Sequence, residues 1–212
     1  MIKLSILTPV WNQEKLVIKG LDSIPRRDDI EVIVRDDGST DNTLANLKQY
    51  KEEHPELNMQ VFSNGENLGV AATANRLIDS ATGEWFHFLM SDDYLFTDEY
   101  KKMINYIYQT NADIVCLDLV DNNGFRYRLS DEMGDYYCAQ ACRFIKREFV
   151  KGIRYPERCK CGEDYWYHIE MMERKPKVEY THILAYHYNF PRVGSLVNLR
   201  SRGLIPEEDC KP

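Results

Sequence analysis

Three polar clusters follow apolar runs early in the chain: Thr8-Pro9-Val10-Trp11-Asn12, Asp36-Asp37-Gly38-Ser39 and Ser91-Asp92-Asp93. Taken singly, Asp36-Asp37-Gly38 has the composition of a turn, and Asp92-Asp93 that of a loop leading into a helix. Two aspartate pairs, each placed directly after a buried strand, point to more. Like charges held close together are costly unless a positive group lies between them. A divalent cation carrying a phosphate ligand meets that need, and hard carboxylate oxygens suit Mg²⁺ or Mn²⁺. A third acidic pair, Glu163-Asp164, can be read as the first-turn acids of a helix, favoured there by the macrodipole.

The elements that must position these clusters follow from the apolar pattern. Short apolar runs alternate with amphipathic stretches through the first 120 residues, as in βα units around a parallel sheet. Strands are expected over 4–9, 30–35, 59–62, 85–90 and 113–119, and helices over 14–24, from Leu44 through Tyr50, over 69–80, and from Thr97 through Ile107. In an open parallel sheet, ligands bind outside the carboxyl ends of the strands, where all three polar clusters fall. Beyond residue 120 the rhythm changes, with expected strands at 125–129, 139–144 and 185–190 and helices at 146–150 and 163–173. The reading is a single α/β domain with a mostly parallel sheet, in which 1–120 bind a nucleotide and 121–212 face its substrate.

The 212 residues are 29% charged and 43% hydrophobic, enough for one domain with a real core. A net charge of −7 argues against a generic nucleic-acid binder. The distribution is lopsided: residues 1–100 carry 18 acids and 9 bases, whereas 143–160 hold seven bases against Glu148 and Glu157. That basic run is either a solvated face or a site for an anionic partner. No apolar stretch reaches the roughly 18–20 residues that span a bilayer, and no signal-peptide cleavage site follows the first strand, so a cytoplasmic location is expected. Without a secretion signal a disulfide framework is not expected. Cys138, Cys142, Cys159 and Cys161 could in principle make a thiolate zinc site, but their spacing is not the usual C-x2-C pair and buried free thiols are the preferred reading. Neither a G-x-x-x-x-G-K-[ST] nor a G-x-G-x-x-G motif is present, which removes the P-loop and Rossmann-dehydrogenase readings.

Seven blocks in order carry a resemblance: 5–12, 32–41, Asn67-Leu68-Gly69 with Asn75, Thr82 to Asp93, 142–150, Gly162-Glu163-Asp164, and 186–195. Together they cover about residues 3–196. The chain resembles the inverting glycosyltransferases of family 2, which have the A-type, Rossmann-like nucleotide-sugar fold. The resemblance implies a nucleotide-diphosphate sugar donor, UDP-linked by preference, and Mn²⁺ or Mg²⁺ as cofactor. It implies that Thr8 and Asp37 contact the base over a floor of Pro9 and Val10, with Asn12, Asn75 and Ser91 also in the donor site. Asp92 then stands for the metal-binding acid, with Asp93 beside it. Asp164, supported by Glu163, stands for the general base that takes the acceptor proton.

Two departures stand out. Met90 replaces the first acid of the family's Asp-x-Asp motif, and Ala74 replaces an arginine common before the asparagine. Arg76 and Arg192 are candidates to supply the missing diphosphate contact. The acceptor is a hydroxyl of a glycan, lipid-linked sugar, protein or other molecule, with the basic run favouring an anionic one. Two rival readings remain at this level. A catalytically degenerate nucleotide-sugar-binding protein accommodates the departures. A nucleotidyltransferase would need a basic loop where Trp11-Asn12-Gln13-Glu14 stands. Tyr165-Trp166-Tyr167 is either core or a sugar-stacking surface, and His187 either structural or a ligand.

Overall fold

The computed structural model describes residues 1–130, 140–159 and 162–192. Four parallel strands make the first half of the sheet: β1 (Leu4–Val10), β2 (Ile30–Asp36), β3 (Met59–Ser63) and β4 (Trp85–Phe88). Helices α1 (Val17–Asp22), α2 (Thr43–Glu53) and α3 (Val70–Ser80) connect them. β1 is buried along its whole length, and the centre of β2 is the apolar run Val32-Ile33-Val34, as befits strands covered on both faces. The strand order β3-β2-β1-β4 steps outward from β1 on one side and then returns to its other side. Connections therefore diverge between β1 and β4, which opens a crevice at their carboxyl ends.

The second half adds β5 (Tyr94–Leu95), α4 (Thr97–Ile107), β6 (Ile114–Asp121), β7 (Arg126–Tyr127), β8 (Arg143–Lys146), α5 (Glu163–Glu173) and β9 (Val178–Tyr188). β8 lies antiparallel between β4 and β6, and β9 runs parallel to β6. Among the described residues six strands therefore share one direction, and only the short β5, β7 and β8 oppose them. The junction between halves is sealed by His87 of β4, which stacks on Phe144 at 4.5 Å and bonds Tyr100 and the Ala141 carbonyl. Burial pushes His87 down to about 4, so the ring is neutral.

Several expected boundaries move. α1 begins at Val17 instead of residue 14, because Glu14 is tied to the next loop: its N–H donates to Asp41 and its carboxylate accepts from Asn42 N. β4 ends at Phe88, two residues early. The expected strand at 139–144 is a 3-10 turn (Gln140–Cys142) followed by β8, and the expected helix at 146–150 is a pair of turns. There Arg147 donates through its backbone to Glu84 and through its side chain to the Gly83 carbonyl, pinning the segment to β4. β9 starts at Val178, well before residue 185; its amino-terminal part is only half-buried and its sequence mixes Glu179, Thr181 and His182 with apolar residues.

Candidate active site

β1 and β2 end in register, Val10 against Asp36, and Asp37 N donates to the Val10 carbonyl at 2.8 Å. Asp36 is buried and accepts from Ser39 N and Ser63 Oγ. Asp37, only 4% exposed, accepts from Leu68 N and Gly69 N, each at 2.9 Å, and from Asn64 Nδ2 at 2.8 Å. It thus fixes the loop leading into α3. Gly38 permits this: with φ at +69°, a Cβ there would fall 2.3 Å from the Glu66 carbonyl carbon. Asn12, itself left-handed at φ 51°, donates through its N–H to Ser39 Oγ and accepts from Thr40 N, stitching the β1 loop to the β2 loop. Pro9 and Val10 are buried between them. Thr8 Oγ1 is also buried, and among the described residues no hydrogen-bond partner reaches it.

The turn after β4 is held by β9. Tyr186 O–H donates to Asp93 Oδ2 at 2.6 Å, and its oxygen accepts from Met90 N. Asn189 N donates to Asp93 Oδ1 at 2.7 Å. Both oxygens of Asp93 are therefore engaged, and burial with the adjacent Asp92 charge pushes Asp93 up to about 7. Asp92 instead receives Arg192 Nε on Oδ2 at 2.8 Å, while Oδ1 has no bond among the described residues. The two expected metal acids thus have different surroundings: both oxygens of Asp93 are hydrogen-bonded, whereas among the described residues only one oxygen of Asp92 is. Ser91 is buried beside them.

α5 brings the third acidic pair. Gly162 caps it in a left-handed conformation, and Glu163 and Asp164 occupy its first turn. Burial and the neighbouring Asp164 charge push Glu163 up to about 7. Tyr167 is core, stacked on Tyr155 at 4.0 Å, whereas Tyr165 is 39% exposed. The phenol of Tyr188 is raised by burial and by the charges of Asp93, Asp92 and Asp164. The strand order β2-β1-β4 sets residues 8–12, 36–37 and 91–93 after the carboxyl ends of adjacent parallel strands.

Other expected residues serve the scaffold. Asn75 donates to the Tyr155 carbonyl and Glu157 and accepts from Tyr155 N, clamping α3 to the segment before α5. Arg76 donates to Asn64, away from Asp92. His187 stacks on Tyr94 at 4.2 Å, which is the structural reading. Four bases of the basic run are engaged within the fold. Arg143 is buried and donates to His168, Arg147 is bound to Gly83, Lys146 lies over the Trp85 ring, and Arg154 makes a two-pronged pair with Asp79. Of the four cysteines weighed for zinc, Cys138 and Cys161 lie outside the described residues; Cys142 is buried and its thiol is held well above its ordinary value. Asn64, Tyr186, Tyr188 and Asn189 were not singled out in the sequence. The alternation of Tyr186 and Tyr188, two residues apart on one face of β9, is the signal that could have found two of them.

Comparison with known proteins gives the family and the fold. The family model "Glycosyl transferase family 2" matches residues 5–174. The chain belongs to that family. It is 26% identical over 211 residues to the minor teichoic acid biosynthesis protein GgaB of Bacillus subtilis, covering 90% of this chain and 23% of that one. It is 25% identical to the poly(ribitol-phosphate) beta-N-acetylglucosaminyltransferase TarS of Staphylococcus aureus, covering 98% of this chain and 39% of that one. The family 2 domain described here thus spans well under half the length of either relative. The structure of TarS in complex with UDP-GlcNAc superposes with a TM-score of 0.79 at 23% identity, over 92% of this chain and 60% of that one. The mannosyltransferase PcManGT of Pyrobaculum calidifontis, solved with GDP-Man and Mn²⁺, gives 0.71 at 18% identity, over 91% and 58%. The shared architecture is the A-type glycosyltransferase fold. No helix among the described residues is long and apolar enough to cross a membrane.

Proposed function

We propose that this protein is an inverting glycosyltransferase that moves a sugar from a UDP-sugar to an acceptor hydroxyl. The observation that supports the reading is the strand order β2-β1-β4, which gathers the polar clusters after these three strands at neighbouring carboxyl ends of the sheet. Thr8, with its orphaned buried hydroxyl, and the Pro9–Val10 floor receive the base. Asp37 retains one acceptor position on Oδ2 beyond its bond to Gly69 N, enough for a base N–H. Asn12, Asn75 and Asp37 hold the loops that shape this side. Asp164 takes the proton from the acceptor hydroxyl while that oxygen attacks the anomeric carbon and the sugar–diphosphate bond breaks. Glu163 beside it favours its own protonated form, which lowers the charge next to Asp164.

Asp92 could hold a hard divalent ion: its Oδ1 has no bond among the described residues, and Mg²⁺-type ions take one or two carboxylates together with substrate phosphates. Bound there, Mn²⁺ or Mg²⁺ would supply positive charge to the leaving diphosphate. Met90 cannot assist, since a thioether is a soft ligand. The names of GgaB and TarS support an anionic, hydroxyl-bearing polymer as acceptor. Its charge would be met by cations other than Arg143, Arg147 and Arg154, which are engaged within the fold.

Thermal shift with a panel of nucleotide sugars and Mn²⁺ tests the donor. A ligand at about 100 times its Kd adds about 2.7 kcal/mol, which for a domain of this size raises Tm by roughly 5–10 °C. UDP-sugars are expected to give that shift and GDP-mannose to give less. A flat panel would remove the reading.

A further inference from the structure

The hairpin that joins β6 to β7 carries an aromatic ring into solvent and holds it there. Asp121, 5% exposed, takes the N–H groups of Asn123 and Phe125 on Oδ1, each at 2.9 Å, and the Tyr127 hydroxyl on Oδ2 at 3.1 Å. Gly124, at φ +79°, turns the chain between them. Phe125 is nonetheless 61% exposed, and its fixed backbone leaves little freedom to lose when something packs on the ring. It is not a lone surface ring. Phe125 meets Tyr127 edge-on at 4.7 Å, and Tyr188 stacks on Phe190 at 5.4 Å. Leu119 pairs with both Tyr127 and Tyr186, and Asp121 pairs with Tyr188, so these side chains share one face of the sheet. On that face the Tyr186 hydroxyl reaches Asp93.

The hairpin tip is tied to the segment that holds the turn after β4. Asn122 N donates to the Phe190 carbonyl and Asn122 Nδ2 to Asn189 Oδ1, both at 2.9 Å, while Asn189 N donates to Asp93. An amide that bonds a second amide leaves one oxygen and one NH2 group unused, whichever way the pair is turned. Among the described residues these are Asn122 Oδ1 and Asn189 Nδ2. Asn122 shares its turn with Phe125, and Asn189 lies between Tyr188 and Phe190 in the chain. A pyranose ring complements such a surface: a face of axial C–H groups packs on an aromatic ring, and each hydroxyl of its rim both donates and accepts. An open-chain polyol has no such face. We propose that Phe125, backed by Tyr127, and the Asn122–Asn189 amide pair form a subsite for a pyranose unit of the acceptor. The proposal rests on the glycosyl-transfer reading above and narrows its acceptor to one that contains a sugar ring.

Saturation-transfer NMR tests it with the methyl β-pyranosides of glucose, galactose and N-acetylglucosamine, and with ribitol, each in the presence of UDP and Mn²⁺. At least one pyranoside should take saturation from the protein's aromatic protons, strongest along one face of its ring, and ribitol should take none. Phe125→Ala should weaken binding of that pyranoside about 3–10-fold, Asn122→Ala should weaken it to a similar degree, and Phe125→Trp should retain it. Phe125→Ala should melt close to wild type, because the ring it removes is mostly exposed. Wild-type protein that saturates no pyranoside overturns the proposal. So does a pyranoside signal indifferent to Phe125→Ala, or ribitol saturated as strongly as the sugars. The Tm rise expected from UDP-sugars keeps the two readings apart. If that rise is present without a pyranoside signal, this subsite alone fails; if it is absent while a pyranoside still depends on Phe125, the donor reading fails and the ring subsite stands.

Discussion

Asp37 and Glu163 are both acids expected at the site, and the protein treats them differently. Asp37, on the nucleotide half, accepts two backbone N–H bonds and one from Asn64, and so organises the loop before α3. Glu163, on the other half, is raised to about 7 by burial and by Asp164. Burial beside another acid disfavours the charged form of a carboxylate. The nucleotide half thus uses its acids to make a rigid cradle, and the α5 side keeps acids under electrostatic stress, where proton transfer is easiest to arrange.

The largest effect should come from the α5 side. Asp164→Asn is expected to lower turnover by about 10²–10⁴-fold, or roughly 3–5.5 kcal/mol, with donor affinity and Tm near wild type. Glu163→Gln should cost less. Turnover measured beside calorimetric UDP binding checks this, and an active Asp164→Asn enzyme would leave both acids as helix-terminus charges only. On the cradle side the pattern should reverse. Asp37→Ala strands three donors, for about 3 kcal/mol of stability, which is a fall of roughly 6–12 °C in Tm. Thermal denaturation of the ligand-free protein measures that loss directly.

The same contrast explains what could be read from the sequence. The β1 and β2 runs and the turn Asp36-Asp37-Gly38 are local signals, so the parallel half and its polar clusters were legible almost to the residue. What was not legible depends on long-range pairing. Nothing near Asp93 in sequence announces that Tyr186 and Asn189 will take both its oxygens, and nothing near Asn75 announces Tyr155. β8 was missed because a four-residue strand wedged antiparallel between β4 and β6 is defined by its neighbours. Arg192 was legible as a diphosphate candidate, but its bond to Asp92 was not.

Asp92 and Asp93 carry the comparison within a single turn. Asp92→Asn is expected to weaken Mn²⁺-dependent UDP binding at least tenfold with little change in Tm. Asp93→Asn should lose about 1–2 kcal/mol of stability, because an amide nitrogen would then face either the Tyr186 hydroxyl or Asn189 N–H. The converse outcome, with metal binding lost only in Asp93→Asn, would exchange their roles. Asp93 and Glu163 also predict a pH dependence. Each is raised from its ordinary value, 3.8 and 4.5, to about 7, so the folded chain holds these protons more tightly than the unfolded one. Their contribution to stability is full below about pH 4 and is lost as pH rises through 7. Denaturant melts between pH 5 and 8 should show Glu163→Gln with a shallower decline than wild type.

The smallest effect separates a charged face from a structural one. Residues 143–160 hold seven bases, and a run of that kind is a natural place to seat an anionic acceptor. In the fold, Arg154 spans back to Asp79 of α3 with bonds of 2.7 and 2.9 Å, in the same junction where Asn75 clamps Tyr155. Both side chains of that pair are about half exposed, 51% and 56%, so water screens it, and exposed pairs are worth about 0.2–1 kcal/mol. Arg154→Glu with Arg158→Glu should therefore cost only about 1 kcal/mol, most of it from facing Asp79 with a like charge. If the segment is structural, the salt dependence of the acceptor KM should be the same in this variant as in wild type. An acceptor KM that rises several-fold, together with a flattened salt response, would instead return the acceptor to this segment, and the tether to α3 would then serve to hold a binding surface in place.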